Sequence, residues 1–324
     1  MKIIDSVYGE FCVEEPVLLE LINSKPFQRL KKITQYGIPY EYYMYKGFSR
    51  YEHSIGVLLL LKKFNADLEE QIAGLVHDIS HPAFSHVVDW MVGNHEKEDY
   101  QDSVHSKFLA KSDISTILKK YDFDINSIAD LKNFRLLDKE IPEVCADRLD
   151  YALREFKEWA NPDIVKECYN SIIVIGDRLV FSKRKTAEDF GRTFLKCQNE
   201  HWSGAEAVVR YCLMSDILKY AVDKAIVNPE DFMQDDYFII NKLKKSNDEK
   251  ILNALEQLSE KIIFENDYLN PEICAKKKFR YVNPEYLEDG KIKRLSENIE
   301  EFNALIEKSR QMNEEGVNVR IIRR

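Results

Sequence analysis

His77-Asp78-Ile79-Ser80-His81-Pro82-Ala83-Phe84-Ser85-His86-Val87-Val88-Asp89 places three histidines and two aspartates within thirteen residues. Ile72, Leu75 and Val76 precede it at helical spacing, so His77 and Asp78 end an apolar helix. Adjacent there, they can offer a nitrogen and an oxygen to one metal ion. Ser80 and Pro82 read as the cap and first turn of a second helix, expected to run to about Val92. On that helix His86 and Asp89 lie three residues apart and share a face. Its first turn would present free N–H groups to a phosphate. Ligands, acid–base groups and an anion seat so close together suit a metal-dependent phosphate-cleaving site. The competing reading makes each histidine an ordinary core or surface residue, and the clustering weighs against it.

Working outward, Arg50-Tyr51-Glu52-His53-Ser54 opens a helix over roughly 50–64, with Arg50 and His53 on one face. Asp67 and Glu70 have capping-box spacing for the helix over 68–78. Further helices are expected over 104–121 and 140–160. In the latter, Asp147, Tyr151, Arg154 and Glu155 fall along one side. Asp147 has apolar neighbours in Val144, Cys145 and Leu149, so its carboxylate needs a partner; a solvated charged face is the bland alternative.

Residues 1–13 read as a strand pair around Tyr8-Gly9, and Pro16 and Pro26 each open a helix. The aromatic run Tyr40–Tyr45 reads as a loop or short strand. Gly176-Asp177 between Ile172–Ile175 and Arg178–Phe181 signals a hairpin. Helices follow over roughly 186–200, 204–227 and 248–263. The tail is expected to hold a strand at Phe279–Val282, a helix over 296–313 and a terminal strand Val317–Ile322. A boundary near Asn270-Pro271 divides the chain into 1–270 and a small mixed α/β region, 271–324, packed on the main domain or at a subunit interface. The fold class is mainly α, multi-helical, with a small β-hairpin.

The 324 residues include only 11 Gly and 9 Pro, with 32 % charged and 44 % apolar side chains. That balance excludes global disorder and argues against an all-β fold. The longest aliphatic run, Val57–Leu61, is far too short to span a bilayer. MKIIDSVYGE lacks an apolar signal region. The six cysteines form no CxxC pair and read as reduced thiols of a cytoplasmic protein. The net charge of −9 makes a nucleic-acid partner unlikely on electrostatic grounds. Residues 276–324 are basic, and Lys276-Lys277-Lys278, Arg280, Arg320, Arg323 and Arg324 read as a solvated face or subunit contact.

The order His53, His77-Asp78, Asp147 resembles the signature of the HD-domain phosphohydrolases. Lys25-Pro26-Phe27-Gln28-Arg29-Leu30, Gln35-Tyr36-Gly37, Ser49–Val57, the 77–89 block and Asp147-Arg148-Leu149-Asp150-Tyr151 sharpen this. Together they resemble the deoxynucleoside triphosphate triphosphohydrolase, or dGTPase-like, branch over roughly residues 1–160. The resemblance implies that His53, His77, Asp78 and Asp147 hold a divalent metal: Mn, Fe, Ni, Co, Zn or Mg. It implies catalytic or phosphate-contacting roles for His81, His86, Asp89 and His95, with His86 transferring a proton and Asp89 orienting it. It places Arg50 on a phosphate, Gln35 on the sugar 3′-hydroxyl, and Tyr36, Tyr151 and Glu155 around the sugar. It also implies a homo-oligomer, a dimer or larger.

Three positions depart from that branch. Tyr36 stands where it has leucine, Glu155 where it often has aspartate, and Asn23 where its mammalian member has an acidic residue for an activator nucleotide. The expected activity is therefore a nucleotide phosphohydrolase, releasing nucleoside and triphosphate. The alternatives are hydrolysis of another phosphoester (a monophosphate, a cyclic or a modified nucleotide) and a silent nucleotide or nucleic-acid sensor.

Overall fold

The N-terminal hairpin pairs β1 (Lys2–Asp5) with β2 (Gly9–Cys12), Ile3 opposite Phe11. The computed structural model describes residues 1–43 and 45–322. Pro16 and Pro26, in first turns where a missing N–H costs nothing, open α1 (Pro16–Asn23) and α2 (Lys25–Arg29). The aromatic run expected as loop or strand is instead a helical turn, α3 (Tyr40–Tyr43). Burial of Tyr42 and Tyr43 there outweighs β propensity; Met44 lies outside the described residues.

Ser49 and Glu52 start α4 (Arg50–Lys63) with a reciprocal capping box. Ile55 and Val57–Leu61 are buried around the whole circumference, so α4 runs through the core. α5 (Leu68–Val76) returns along it. Asp67 caps α5, but Glu70 turns inward to accept from the N–H groups of Leu136 and Leu137.

The helix expected from Ser80 to Val92 forms only as α6 (Val87–Met91). Phe84 and Ser85 have φ of +64° and +46°, left-handed values that interrupt a helix. The Ser80 hydroxyl faces the His105 ring at 2.9 Å and caps nothing. The anion seat expected at Ser80–Pro82 is therefore not formed. α7 (Tyr100–Lys111) and α8 (Asp113–Lys120) split the expected 104–121 helix at Ser112, and α9 (Ile125–Ala129) follows. α10 (Ala146–Trp159) starts later than 140, because Ala146 and Asp147 donate their N–H groups to the Leu136 and Leu137 carbonyls.

α11 (Pro162–Ser171) leads into the hairpin β3 (Ile172–Ile175) and β4 (Arg178–Phe181), which turns at Gly176 with φ +65°. α12 (Arg184–Cys197) ends in a π-helical turn, Gln198–Trp202, before α13 (Ala205–Asp223). α14 (Asp236–Lys245) and α15 (Glu249–Ser259) follow. The C-terminal elements are β5 (Phe264–Asn266), β6 (Ile273–Ala275), β7 (Glu285–Glu288), β8 (Lys291–Arg294), α16 (Leu295–Asn298), α17 (Glu300–Glu315) and β9 (Val317–Ile321). The strand expected at Phe279–Val282 is irregular chain. β9 lies between β5 and β6, and β7 joins β4 to give the order β3-β4-β7-β8. Arg323 and Arg324 lie outside the described residues.

The buried apolar residues form two clusters. The first centres on α4, α5 and α10 and includes Ile79, Val282, Tyr286 and Phe302. The second surrounds α13–α15 and includes Phe84, Val87, Ile273, Val319 and Ile321. The 77–89 block thus crosses from one core to the other. Residues after 270 contribute to both. The six cysteines are free, and among the described residues no helix is long and apolar enough to cross a membrane.

Gly56 lets α10 approach α4. A Cβ there would run into the Asp150 carboxylate and the Arg154 guanidinium. Gly56→Ala is therefore expected to lower stability by about 1–3 kcal/mol through overpacking, despite alanine's better helix propensity. Denaturant titration checks this; an unchanged or raised midpoint would refute it.

Candidate functional site

α4, the end of α5 and the start of α10 bring His53, His77 and Asp147 together, one ligand atom from each within 4.8 Å of the others. His53 Nε2 lies 3.0 Å from Asp147 Oδ1 and 3.2 Å from His77 Nε2. Asp78 closes the group from the side, Oδ2 3.6 Å from His53 Nε2 and Oδ1 3.5 Å from His77 Nε2. The outward nitrogens are engaged: His77 Nδ1 donates to the Gly74 carbonyl and His53 Nδ1 faces Asp150 Oδ2, both at 2.7 Å. That fixes each ring with Nε2 toward the group, as metal-ligating histidines require.

Burial pulls the His53 imidazolium down, but Asp147, Asp150 and Asp78 outweigh it and raise it to about 9. Burial also opposes ionisation of Asp147, yet His53 and His77 hold it well below the usual carboxylate range. A site that so favours a proton between two imidazoles and two carboxylates equally favours a cation. Two imidazole nitrogens and two carboxylates fit a divalent first-row ion or magnesium.

Asp150 supports this group from behind. It is fully buried, accepts from Tyr8 Oη at 2.8 Å and from Arg154 Nε at 2.8 Å, and Arg154 reaches on to Asp5 at 2.7 Å. The N-terminal hairpin is thereby tied to a metal-facing histidine.

Arg50 donates from Nη1 to Asp78 at 2.7 Å and from Nε to the Ser85 hydroxyl at 3.1 Å. His81 Nε2 lies 3.3 Å from Asp78 Oδ1, and its Nδ1 is buried without a partner. Burial and the Arg50 charge keep His81 neutral, well below the ordinary imidazole range. His86 Nδ1 meets Asp89 Oδ2 at 3.1 Å, while Asp89 Oδ1 accepts from the Tyr100 N–H at 2.9 Å. The His86 ring lies 5.1 Å from that of His81. Asp236, from α14, fixes the irregular turn beneath. Its two oxygens accept from Phe84 N–H at 2.7 Å and Thr34 N–H at 2.9 Å.

These residues open onto a cavity of about 250 Å³. Gln35, Tyr36, Arg50, His77, Asp78, His81, His86, Asp147, Tyr151 and Glu155 line it. Gln35 Oε1 is buried without a partner. Tyr36 Oη donates to Glu155 Oε2 at 2.8 Å, which also accepts from Trp159 Nε1 at 2.7 Å. Burial pushes Glu155 up to about 7 despite these bonds. His53 and Asp89 sit behind the lining, holding residues that form it. His95 is not part of the lining; its ring packs 4.8 Å from Trp90.

The cavity also has walls outside the metal and phosphate motifs. Trp159, His201, Trp202 and Tyr211 form an aromatic side, with Trp159 and His201 stacked at 3.8 Å. Lys277, Lys278 and Arg280 bring the basic segment to the cavity, where a solvated face or subunit contact was expected. The clustering of those cations was visible in the sequence; their inward placement was not.

An HD-domain family model matches residues 50–160, which hold all four residues of the metal group. The uncharacterized protein YdhJ of Bacillus subtilis is 33 % identical over the full length of both chains. The metal-dependent phosphohydrolase cns2 of Cordyceps militaris is 29 % identical over 84 % of this chain and 81 % of its own. The deoxynucleoside triphosphate triphosphohydrolase SAMHD1 of Bos taurus matches locally, 36 % identical over 28 % of this chain and 18 % of its own. With this geometry and these relatives, the chain belongs to the HD-domain family of metal-dependent phosphohydrolases.

Proposed function

We propose that the protein is a nucleoside triphosphate triphosphohydrolase, releasing a nucleoside or deoxynucleoside and intact triphosphate. The carrying observation is a single cavity that joins the metal group, the His86–Asp89 pair, Arg50 and an aromatic side. The local similarity to SAMHD1 supports a triphosphate substrate.

In this reading His53, His77, Asp78 and Asp147 would hold a divalent cation, which would supply Lewis-acid polarisation and lower the pKa of a water. Arg50, fixed by Asp78 and Ser85, orients the phosphate with its remaining guanidinium N–H groups. His81 presents a neutral ring beside it. His86 protonates the leaving 5′-oxygen, and Asp89 holds the ring in place. Gln35 Oε1, lacking a partner, accepts from a sugar hydroxyl. Tyr151 and the Tyr36–Glu155 pair bound the sugar, and the Trp159 side takes the base. His95 has no role in this reading.

Incubating the protein with ribo- and deoxynucleoside tri- and monophosphates and several divalent metals tests it. The expected products are nucleoside and tripolyphosphate. Pyrophosphate with monophosphate, or cleavage confined to monophosphates, would replace this reading with the other phosphoester alternative.

A further inference from the structure

Residues 276–284 run without regular secondary structure between β6 and β7, and Lys277, Lys278 and Arg280 face the cavity from this strap. Neighbouring cations are committed elsewhere. Lys276 pairs with Glu314 at 2.9 Å, Arg294 with Glu143 at 2.7 Å, and Arg280 with Glu98. Arg148, also at the cavity, donates to the Lys139 carbonyl at 2.8 Å and to the Glu143 carbonyl at 2.5 Å.

Lys277 and Lys278 differ. Among the described residues neither has a carboxylate within 4.0 Å or a hydrogen bond to its ammonium. Lys277 is only 7 % exposed, and its Nζ faces just the Tyr211 ring, at 3.6 Å from the centroid. Unpaired surface lysines need no explanation, because water solvates them. A buried ammonium without an anion does. Burial brings Lys277 down to about 8 and lowers Lys278 as well, with Arg280 adding repulsion in both cases and Glu98 only partly offsetting it. Glu98, a carboxylate near both lysines, is taken by Arg280, so neither ammonium has an anion in contact, and both face the cavity that holds the metal group.

We propose that Lys277 and Lys278 form a subsite for the phosphates beyond the one cleaved, so that the strap selects a phosphate chain over a single phosphate. This rests on the triphosphohydrolase reading for its role in turnover, but the anion subsite itself does not. An arginine in place of Lys278 keeps the charge, whereas glutamine removes it at similar length.

The test uses the full chain loaded with metal. Titration calorimetry with tripolyphosphate and with orthophosphate is run on wild type, Lys278→Gln, Lys278→Arg and Lys277→Gln, each checked by thermal melting. Lys278→Gln is expected to weaken tripolyphosphate binding about 10-fold or more, in line with losing a charge-assisted contact. Orthophosphate binding should change less than about twofold, and Lys278→Arg should restore most of the loss. Turnover of a nucleoside triphosphate should lose kcat/KM mainly through KM. Unchanged tripolyphosphate binding, or equal losses for both anions, overturns the subsite. Lys278 is only half-buried, so its variant keeps the test decisive if Lys277→Gln does not fold. Should the subsite hold while wild type releases no tripolyphosphate from nucleotides, the function fails and the subsite stands.

Discussion

Asp78→Ala is expected to lose bound metal and hydrolysis together, with kcat/KM falling about 10³-fold or more. Asp78 joins two functions. Its oxygens sit within 3.6 Å of His53 and His77, and Oδ2 takes the Arg50 guanidinium at 2.7 Å. Arg50 and Asp78 are both almost wholly buried, so removing the carboxylate leaves an uncompensated cation in the core. Breaking a buried pair from one side costs about 3–5 kcal/mol. The variant should therefore melt lower, even with excess metal. Asp78→Asn keeps the shape and should recover part of the melting temperature while still losing metal affinity. Elemental analysis beside a hydrolysis assay reads both effects. Full metal occupancy with unchanged turnover would falsify the assignment of Asp78 to the metal group.

His86→Ala should behave differently. The ring stands apart from the metal group and is held by Asp89, so metal content should stay at the wild-type level. kcat should fall about 10²–10⁴-fold with little change in KM, the range for a lost general acid. The distinguishing readout is the leaving group. 4-Nitrophenolate leaves without protonation, so hydrolysis of a 4-nitrophenyl ester should be nearly insensitive to the substitution. Asp89→Asn should fall between wild type and His86→Ala, because the ring loses its orienting charge but not its proton. Equal losses on nucleotide and nitrophenyl substrates would show that His86 binds phosphate instead of protonating the leaving oxygen.

Much of this arrangement was legible because helices convert spacing into direction. The three-residue interval from His86 to Asp89 placed both on one side, and their pairing at 3.1 Å follows. The apolar neighbours of Asp147 predicted a partnered carboxylate, and His53 Nε2 meets it at 3.0 Å. The turn at Phe84–Ser85 was not legible. Non-glycine residues seldom adopt positive φ, and Pro82 after Ser80 imitates a helix start. What holds that turn is Asp236, more than 140 residues later, through a hydrogen bond to the Phe84 N–H. Asp150 was hidden for a related reason. A carboxylate in a run of charges looks solvated until His53, Tyr8 and Arg154 surround it. Lys277 and Lys278 lie in irregular chain with no periodicity to give them a face.

That irregular strap has a mechanical consequence. At one end β6 places Ile273 in the second core; at the other, Val282 and Tyr286 lie in the first. The segment is therefore a tether across the seam that contains the reaction site. The 77–89 block crosses the same seam, so beside the cavity the two cores are joined by two segments far apart in sequence. Metal-facing residues and cavity lysines thus arrive on separate crossings, one inside the HD match and one close to the C-terminal strand β9.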